Sequence, residues 1–188
     1  MAVTLGIDLP AWVAVVTDRG RPYATDAERM RFAIPLAREN VQRRTGGPFG
    51  AAVFAEPSGA LVAVGVNSVE RLGNSVLHAE VLALMGAEAR IGSWTLRAHG
   101  ERSHVLVTSC DPCAMCLGAA LWSGVGRIVC GADRDDAAVI GFEEGPVFPE
   151  SWRFLAARGL TVTRGLLRDE ARAVLDLYRT AGGTIYNG

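Results

Sequence analysis

The residues best equipped for chemistry fall in two short runs, His78-Ala-Glu80 and, further along, Pro112-Cys113-Ala-Met-Cys116. Cys113 and Cys116 are spaced i, i+3, so at a helix start they share a face and can grip one ion. A helix N-terminus carries partial positive charge, which favours the thiolates a metal needs. Pro112 suits that start because it needs no intrahelical donor there. His78 can add a neutral imidazole. Three protein ligands leave the fourth tetrahedral position of a zinc ion to water, the arrangement of a catalytic site. Two thiolates cancel the formal charge of Zn²⁺, so a nearby base is needed, and Glu80 stands two residues from the histidine. The expectation is one zinc per chain on His78, Cys113 and Cys116, with Glu80 moving protons.

A competing arrangement uses the same residue types. Cys110 adds a second Cys-x-x-Cys to the run, and with Cys130 a structural Cys₃His or Cys₄ site in a non-catalytic module is conceivable. Such a site gives no reason for a glutamate two residues after the histidine. Cys110 ends one expected strand and Cys130 lies inside another, where free cysteine behaves as a small buried hydrophobe. His99 and His104 have no partner pattern and read as surface or strand-end residues.

The bulk numbers restrict the setting. A chain of 188 residues, 49% hydrophobic and 21% charged, suits one ordinary globular domain. No apolar run reaches the roughly 18 residues of a membrane span. The first residues lack a basic segment followed by an apolar one, so no secretory signal is expected and the cytoplasm is the default. Three of the four cysteines fall between positions 110 and 116, too tight for a framework of separated disulfides. The net charge is −1, and all 19 basic residues are scattered arginines, so there is no basic stripe for nucleic acid.

The elements that must position the site alternate along the chain. Residues 1–25 read as an irregular extension packed on the body through Trp12-Val-Ala-Val-Val, and residues 26–188 as a single domain with a C-terminal tail. Asp26 is expected to cap a helix running to about Arg44, with Pro35 inside it. Phe49–Ala55 and Ala60–Asn67 read as a hairpin. Leu77–Ile91 is apolar nearly all round and predicts a buried helix. His104–Ser109, Val125–Gly131 and Leu160–Thr163 read as strands; Cys113–Ser123, Pro149–Arg158 and Asp169–Arg179 as helices. A Gly- and Asp-rich loop is expected after Gly131. This order predicts an α/β protein with a mixed sheet and helices on both faces.

At these residues the sequence resembles the cytidine deaminase superfamily, whose signature is His-x-Glu followed by Pro-Cys-x-x-Cys. More narrowly it is similar to the bacterial guanine deaminases and their ammeline-active relatives. The segments that carry the resemblance are Gly47-Pro-Phe-Gly-Ala-Ala-Val-Phe, Gly65-Val-Asn67, His78-Ala-Glu80-Val-Leu, Thr108-Ser-Cys-Asp-Pro-Cys-Ala-Met-Cys, Ile140-Gly-Phe-Glu-Glu-Gly-Pro and the tail Ile185-Tyr-Asn. The resemblance implies a three-layer α-β-α sandwich around a five-stranded sheet, in a homodimer. It implies that Asn67 hydrogen-bonds the base, that Phe49 and Trp122 flank its ring, and that Ala79 also touches it. Glu144 would be a second catalytic carboxylate beside Glu80, and the tail would close the pocket through Tyr186. Asp111 departs from the glutamate common before Pro-Cys in relatives. The implied reaction is hydrolysis of free guanine to xanthine and ammonia, with ammeline, cytosine or guanosine as rival substrates. A tRNA adenosine deaminase shares the metal motif but should carry a basic surface.

Overall fold

The computed structural model describes residues 6–17, 20–98 and 101–187. In chain order the elements are α1 (Trp12–Val16), α2 (Asp26–Gln42), β1 (Gly50–Ala55), β2 (Leu61–Val66), α3 (Val69–Leu72), α4 (Ala79–Ile91), β3 (Arg97–Ala98), β4 (Glu101–Arg102) and β5 (His104–Cys110). They continue with α5 (Ala114–Ser123), β6 (Arg127–Ala132), α6 (Arg134–Val139), α7 (Pro149–Ala157), β7 (Thr161–Thr163) and α8 (Arg168–Thr180). His99 and part of the N-terminal extension lie outside the described residues.

Five strands form the central sheet in the order β2-β1-β5-β6-β7. The β1 strand runs antiparallel to both neighbours, while β5, β6 and β7 are mutually parallel. Alternate residues feed opposite faces, as strand geometry requires. Ala52, Phe54, Val105, Val107 and Val129 join one apolar cluster with residues of α2 and α8. Ala51, Val53, Leu106 and Ile128 join the other, with residues of α4 and α5. Both faces are covered, so β2 reads as an unbroken apolar run and β5 is buried along its whole length. The fold is the mixed five-stranded α/β sandwich expected.

Three local expectations change. Thr25, not Asp26, caps α2, through a capping box with Glu28. That leaves the Asp26 carboxylate free to accept from Arg127 Nη1 at 3.0 Å and Nη2 at 2.9 Å. Glu56 accepts from the same arginine at 2.7 Å, and the buried Arg29 bridges both acids at 3.1 and 2.9 Å. Hydrogen bonds from Arg127 hold both carboxyls below their ordinary range despite partial burial. The expected loop after Gly131 contains α6, capped by a reciprocal Asp133–Asp136 box. Arg168 of α8 grips both of those acids. Finally, α4 is not buried all round. Its inner face packs on β1 and β2, but Met85 is 42% and Ile91 40% exposed on the outer one.

The N-terminal extension is anchored where it is described. Val13 is buried, Trp12 Nε1 donates to Thr45 Oγ1 at 3.1 Å, and Pro22 bridges Ala60.

Candidate active site

Both halves of the metal motif sit at helix starts. His78 is the N-cap of α4 and Cys113 the N-cap of α5. The first turn of α4 lies directly on β2, because position 65 is glycine. A Cβ there would fall 2.0 Å from the Ala79 carbonyl oxygen. This close approach fixes the backbone that carries His78 and Glu80.

The turn before α5 is held from the other side. The Asp111 amide extends the β5–β6 pairing by donating to Ala132 O at 2.8 Å. The Asp111 carboxylate is 3% exposed and accepts from Arg164 Nε at 3.0 and 2.8 Å, with Arg164 Nη2 also bonded to it. The short acid at this position thus has a dedicated partner, and it anchors the residues that lead into Cys113.

The three proposed ligands come together. His78 Nδ1 stands 3.6 Å from Cys113 Sγ and 3.6 Å from Cys116 Sγ, and all three ligand atoms lie within 4.8 Å of one another. A tetrahedral zinc with its usual bond lengths needs an N···S edge of roughly 3.6 Å, so the residues fit the ion. Cys110 and Cys130 are buried free thiols outside this group, and Cys110 Sγ donates to Asp133 O at 3.6 Å. The arrangement therefore has three ligands and not four among the described residues.

The three ligand groups are tightly coupled electrostatically. The hydrogen bond from Cys116 pulls the Cys113 thiol down to about 4, against the cost of burial and with help from His78. Donating that bond raises the Cys116 thiol in turn. Burial would lower His78, but the bond to Cys113 and nearby acids leave it raised. Glu80 is 6% exposed, and burial followed by the Cys113 charge lifts it to about 6. A carboxyl poised there can take and return a proton near neutral pH.

Above this floor lies a small cavity of about 40 Å³, lined by Phe49, His78, Glu80, Cys113, Phe142 and Glu144 among others. Glu144 reaches it from the loop after α6. Burial, then the charges of Cys113 and Glu80, raise its carboxyl to about 8. Glu143 is exposed and lies at the cavity's rim. Phe142 stands edge-on to Phe49 at 5.1 Å and to Tyr186 at 4.9 Å. The Tyr186 hydroxyl is buried without a partner. Asn67 is wholly buried. Its Oδ1 accepts from the Val69 amide at 3.3 Å, while its Nδ2 donor has no partner. An orphaned buried amide is costly, and a ligand acceptor would satisfy it. Ala79 is buried between His78 and Glu80, and neither it nor Asn67 is among the residues lining the cavity.

Trp122 is not part of this site. It is 80% exposed and lines a surface hollow with Trp94, Arg97 and Phe154. Six residues beyond Cys116, it lies about 9 Å further along α5 and on a different face. Phe142 and Tyr186 supply the aromatic wall in its place. Sequence reading also missed Arg134 and the role of Asn187. Arg134 Nη1 bonds Val147 O and its Nη2 donates to Gly145 O at 3.4 Å, steadying the loop beyond Glu144. The Asp133-x-x-Asp136 box was the available signal for the helix that presents Arg134.

Comparison with known proteins follows the same line. The profile of the cytidine and deoxycytidylate deaminase zinc-binding region matches residues 24–132. The guanine deaminase of Bacillus subtilis is 36% identical over 121 residues, which cover 64% of this chain and 73% of its own. A solved guanine deaminase from Nitrosomonas europaea superposes with a TM-score of 0.89 at 44% identity, over 96% of this chain and 98% of that one. NE0047 in complex with 2,6-diaminopurine gives a TM-score of 0.90 at 45% identity, over 98% and 97%.

Proposed function

Since the chain belongs to the zinc-binding cytidine and deoxycytidylate deaminase family, we propose that it hydrolyses free guanine to xanthine and ammonia. The observation that carries this reading is the second carboxylate. Glu144 faces the same small cavity as Glu80 and the metal ligands. Guanine presents ring N–H and amino donors beside C2, and an acid there can accept from them and hand a proton to the leaving amine. The similar protein NE0047 has been solved with 8-azaguanine and with 2,6-diaminopurine, two purine-like ligands.

His78, Cys113 and Cys116 hold the zinc, which when bound supplies the Lewis acidity that makes water nucleophilic near neutral pH. Glu80 takes the proton from the attacking water as the C2–O bond forms, and returns it to the ring nitrogen. Glu144 orients the departing amine and passes it the proton given up by the C2 hydroxyl, so that the C2–N bond breaks to ammonia as the C2 carbonyl forms. The orphaned Nδ2 of Asn67 donates to an acceptor of the base. Phe49, Phe142 and Tyr186 sandwich the ring and exclude water. Asn67, Phe49, Tyr186 and Glu144 are thus the proposed substrate contacts, with Ala79 contributing through its place in the first turn of α4.

Ammonia release from guanine, ammeline, cytosine, adenine, guanosine, cytidine and a tRNA anticodon stem tests the substrate. Guanine should be fastest by kcat/KM. A nucleoside, a pyrimidine or the RNA turning over faster would overturn the assignment.

The reading extends to a homodimer in a reducing compartment, the cytoplasm. All four cysteines are free thiols, as reducing conditions allow. Trp94 (83% exposed), Trp122, Met85 and Phe154 form a contiguous apolar face along α4, α5 and α7. A second copy of the chain would cover such a face. Trp122→Glu should shift sedimentation from dimer toward monomer, and an unchanged profile would refute the use of this face.

A further inference from the structure

The loop that carries Glu144 is held unevenly. Beyond Glu144 the main body grips it, for Arg134 bonds the carbonyls of Val147 and Gly145. The Glu144 carbonyl itself accepts from the Ala114 amide at 3.0 Å, one residue after Cys113. Before Glu144, the ring of Phe142 is buried and its amide bonds Ala137 O at 3.1 Å. Between these two holds the Glu143 amide has one partner, and it comes from the C-terminal tail. Asn187 Oδ1 accepts from Glu143 N at 3.0 Å, while Asn187 Nδ2 donates to Gly141 O at 2.9 Å.

The tail is itself aimed. After α8 the chain turns at Gly182, with φ +70, and passes Gly183, where a Cβ would fall 2.3 Å from the Tyr178 ring. The Tyr178 hydroxyl then donates to Thr184 O at 2.7 Å. From that anchor Ile185 lies over Gly141, Tyr186 packs on Phe142, and Asn187 spans the loop's backbone. One amide side chain bridging a carbonyl and an N–H two residues apart does for this loop what a neighbouring strand does in a sheet.

We propose that Asn187 is a positioning residue, splinting the Gly141–Glu143 backbone to the tail and so fixing where the Glu144 carboxylate stands over the metal ligands. The proposal rests on the reading of Glu144 as the second carboxylate. Asn187 also borders the cavity, but the role assigned to it is to hold the loop, through the two hydrogen bonds it makes there. The proposal explains why an exposed asparagine near the end of the chain makes both of its hydrogen bonds to one loop.

The test is a double-mutant cycle on the zinc-loaded protein. Asn187→Ala should lower kcat on guanine roughly 10- to 100-fold, because a misplacement of about 1 Å can cost that much. KM, zinc content and melting temperature should stay close to wild type. In a Glu144→Gln background nothing remains to position, so the added loss should shrink to about twofold. An equal loss in both backgrounds would show that Asn187 acts independently, and a silent Asn187→Ala in the wild type would show no positioning; either sinks the proposal. Failure of the underlying reading looks different. Glu144→Gln with full guanine activity removes the second-carboxylate role, and the proposal with it. A wild-type protein that ignores guanine removes the substrate assignment first.

Discussion

The floor and the roof of the active site are built in opposite ways. The floor consists of His78, Glu80, Cys113 and Cys116, all at the starts of α4 and α5, which pack on the central sheet. The roof consists of the Gly141–Glu144 loop and the Ile185–Asn187 tail, joined by two amide hydrogen bonds and a cluster of rings. Regular elements fix the floor before any ligand arrives, since close packing at Gly65 and the Arg164–Asp111 pair set both helix starts. The roof depends on irregular backbone that a few side chains hold in place. On the proposed reading this difference separates reaction type from substrate choice: the floor would activate water for many heterocycles, while the roof would decide which one is presented.

Three experiments probe that division, ordered by the expected damage to the site's own residues. Glu80→Gln removes the proton shuttle from the floor, and turnover of every substrate should drop by roughly 10²–10⁴-fold. Zinc, measured by metal analysis, should remain at one per chain; near-normal ammonia release would mean that the floor does not perform the chemistry. Glu144→Gln alters the roof alone. Guanine turnover should fall about 100-fold, as for loss of one assisting acid, without loss of metal or of melting temperature. A loss of zinc in this variant would show that roof and floor are one unit. Chelation is the mildest perturbation of the fold. Because the cap positions are set by packing, the stripped protein should stay folded by circular dichroism while activity vanishes. Unfolding on chelation, as in modules that depend on their metal, would put the floor's order in the zinc itself.

The same division governed what could be read without a structure. The metal set was legible because its spacing carries its own logic: an i, i+3 cysteine pair at a helix start, a histidine, and a glutamate two residues on. Strand alternation likewise gave the mixed α/β sheet, since strands buried on both faces leave unbroken apolar runs such as Leu61–Val66. The roof had no such code. Phe142 and Glu144 share one loop, far in the chain from Tyr186, and loop and tail meet with no periodicity, so only resemblance pointed to Glu144 and Tyr186. Resemblance also misplaced Trp122, because helical rise carries it away from the ligands on the same α5. Asn187 was noticed only as part of the tail motif, and its role escaped for a simpler reason. An asparagine in a polar tail looks like solvent-exposed chain until its two partners are known.

The charged cluster of Asp26, Arg29, Glu56 and Arg127 has a consequence for lifetime. It ties together positions 27, 71 and 101 residues apart in the chain. Contacts over such spans close large loops and form only once the intervening strands are in place. Interactions that arrive after the folding barrier do little for the speed of folding, but they must be broken to leave the native state. The cluster therefore works as a brake on unfolding. Its two carboxyls titrate below their ordinary range, so its contribution is complete above pH of about 5 and is lost as pH falls through their lowered values. Mild acid should leave the zinc-side architecture intact at first and shorten the time the molecule stays folded.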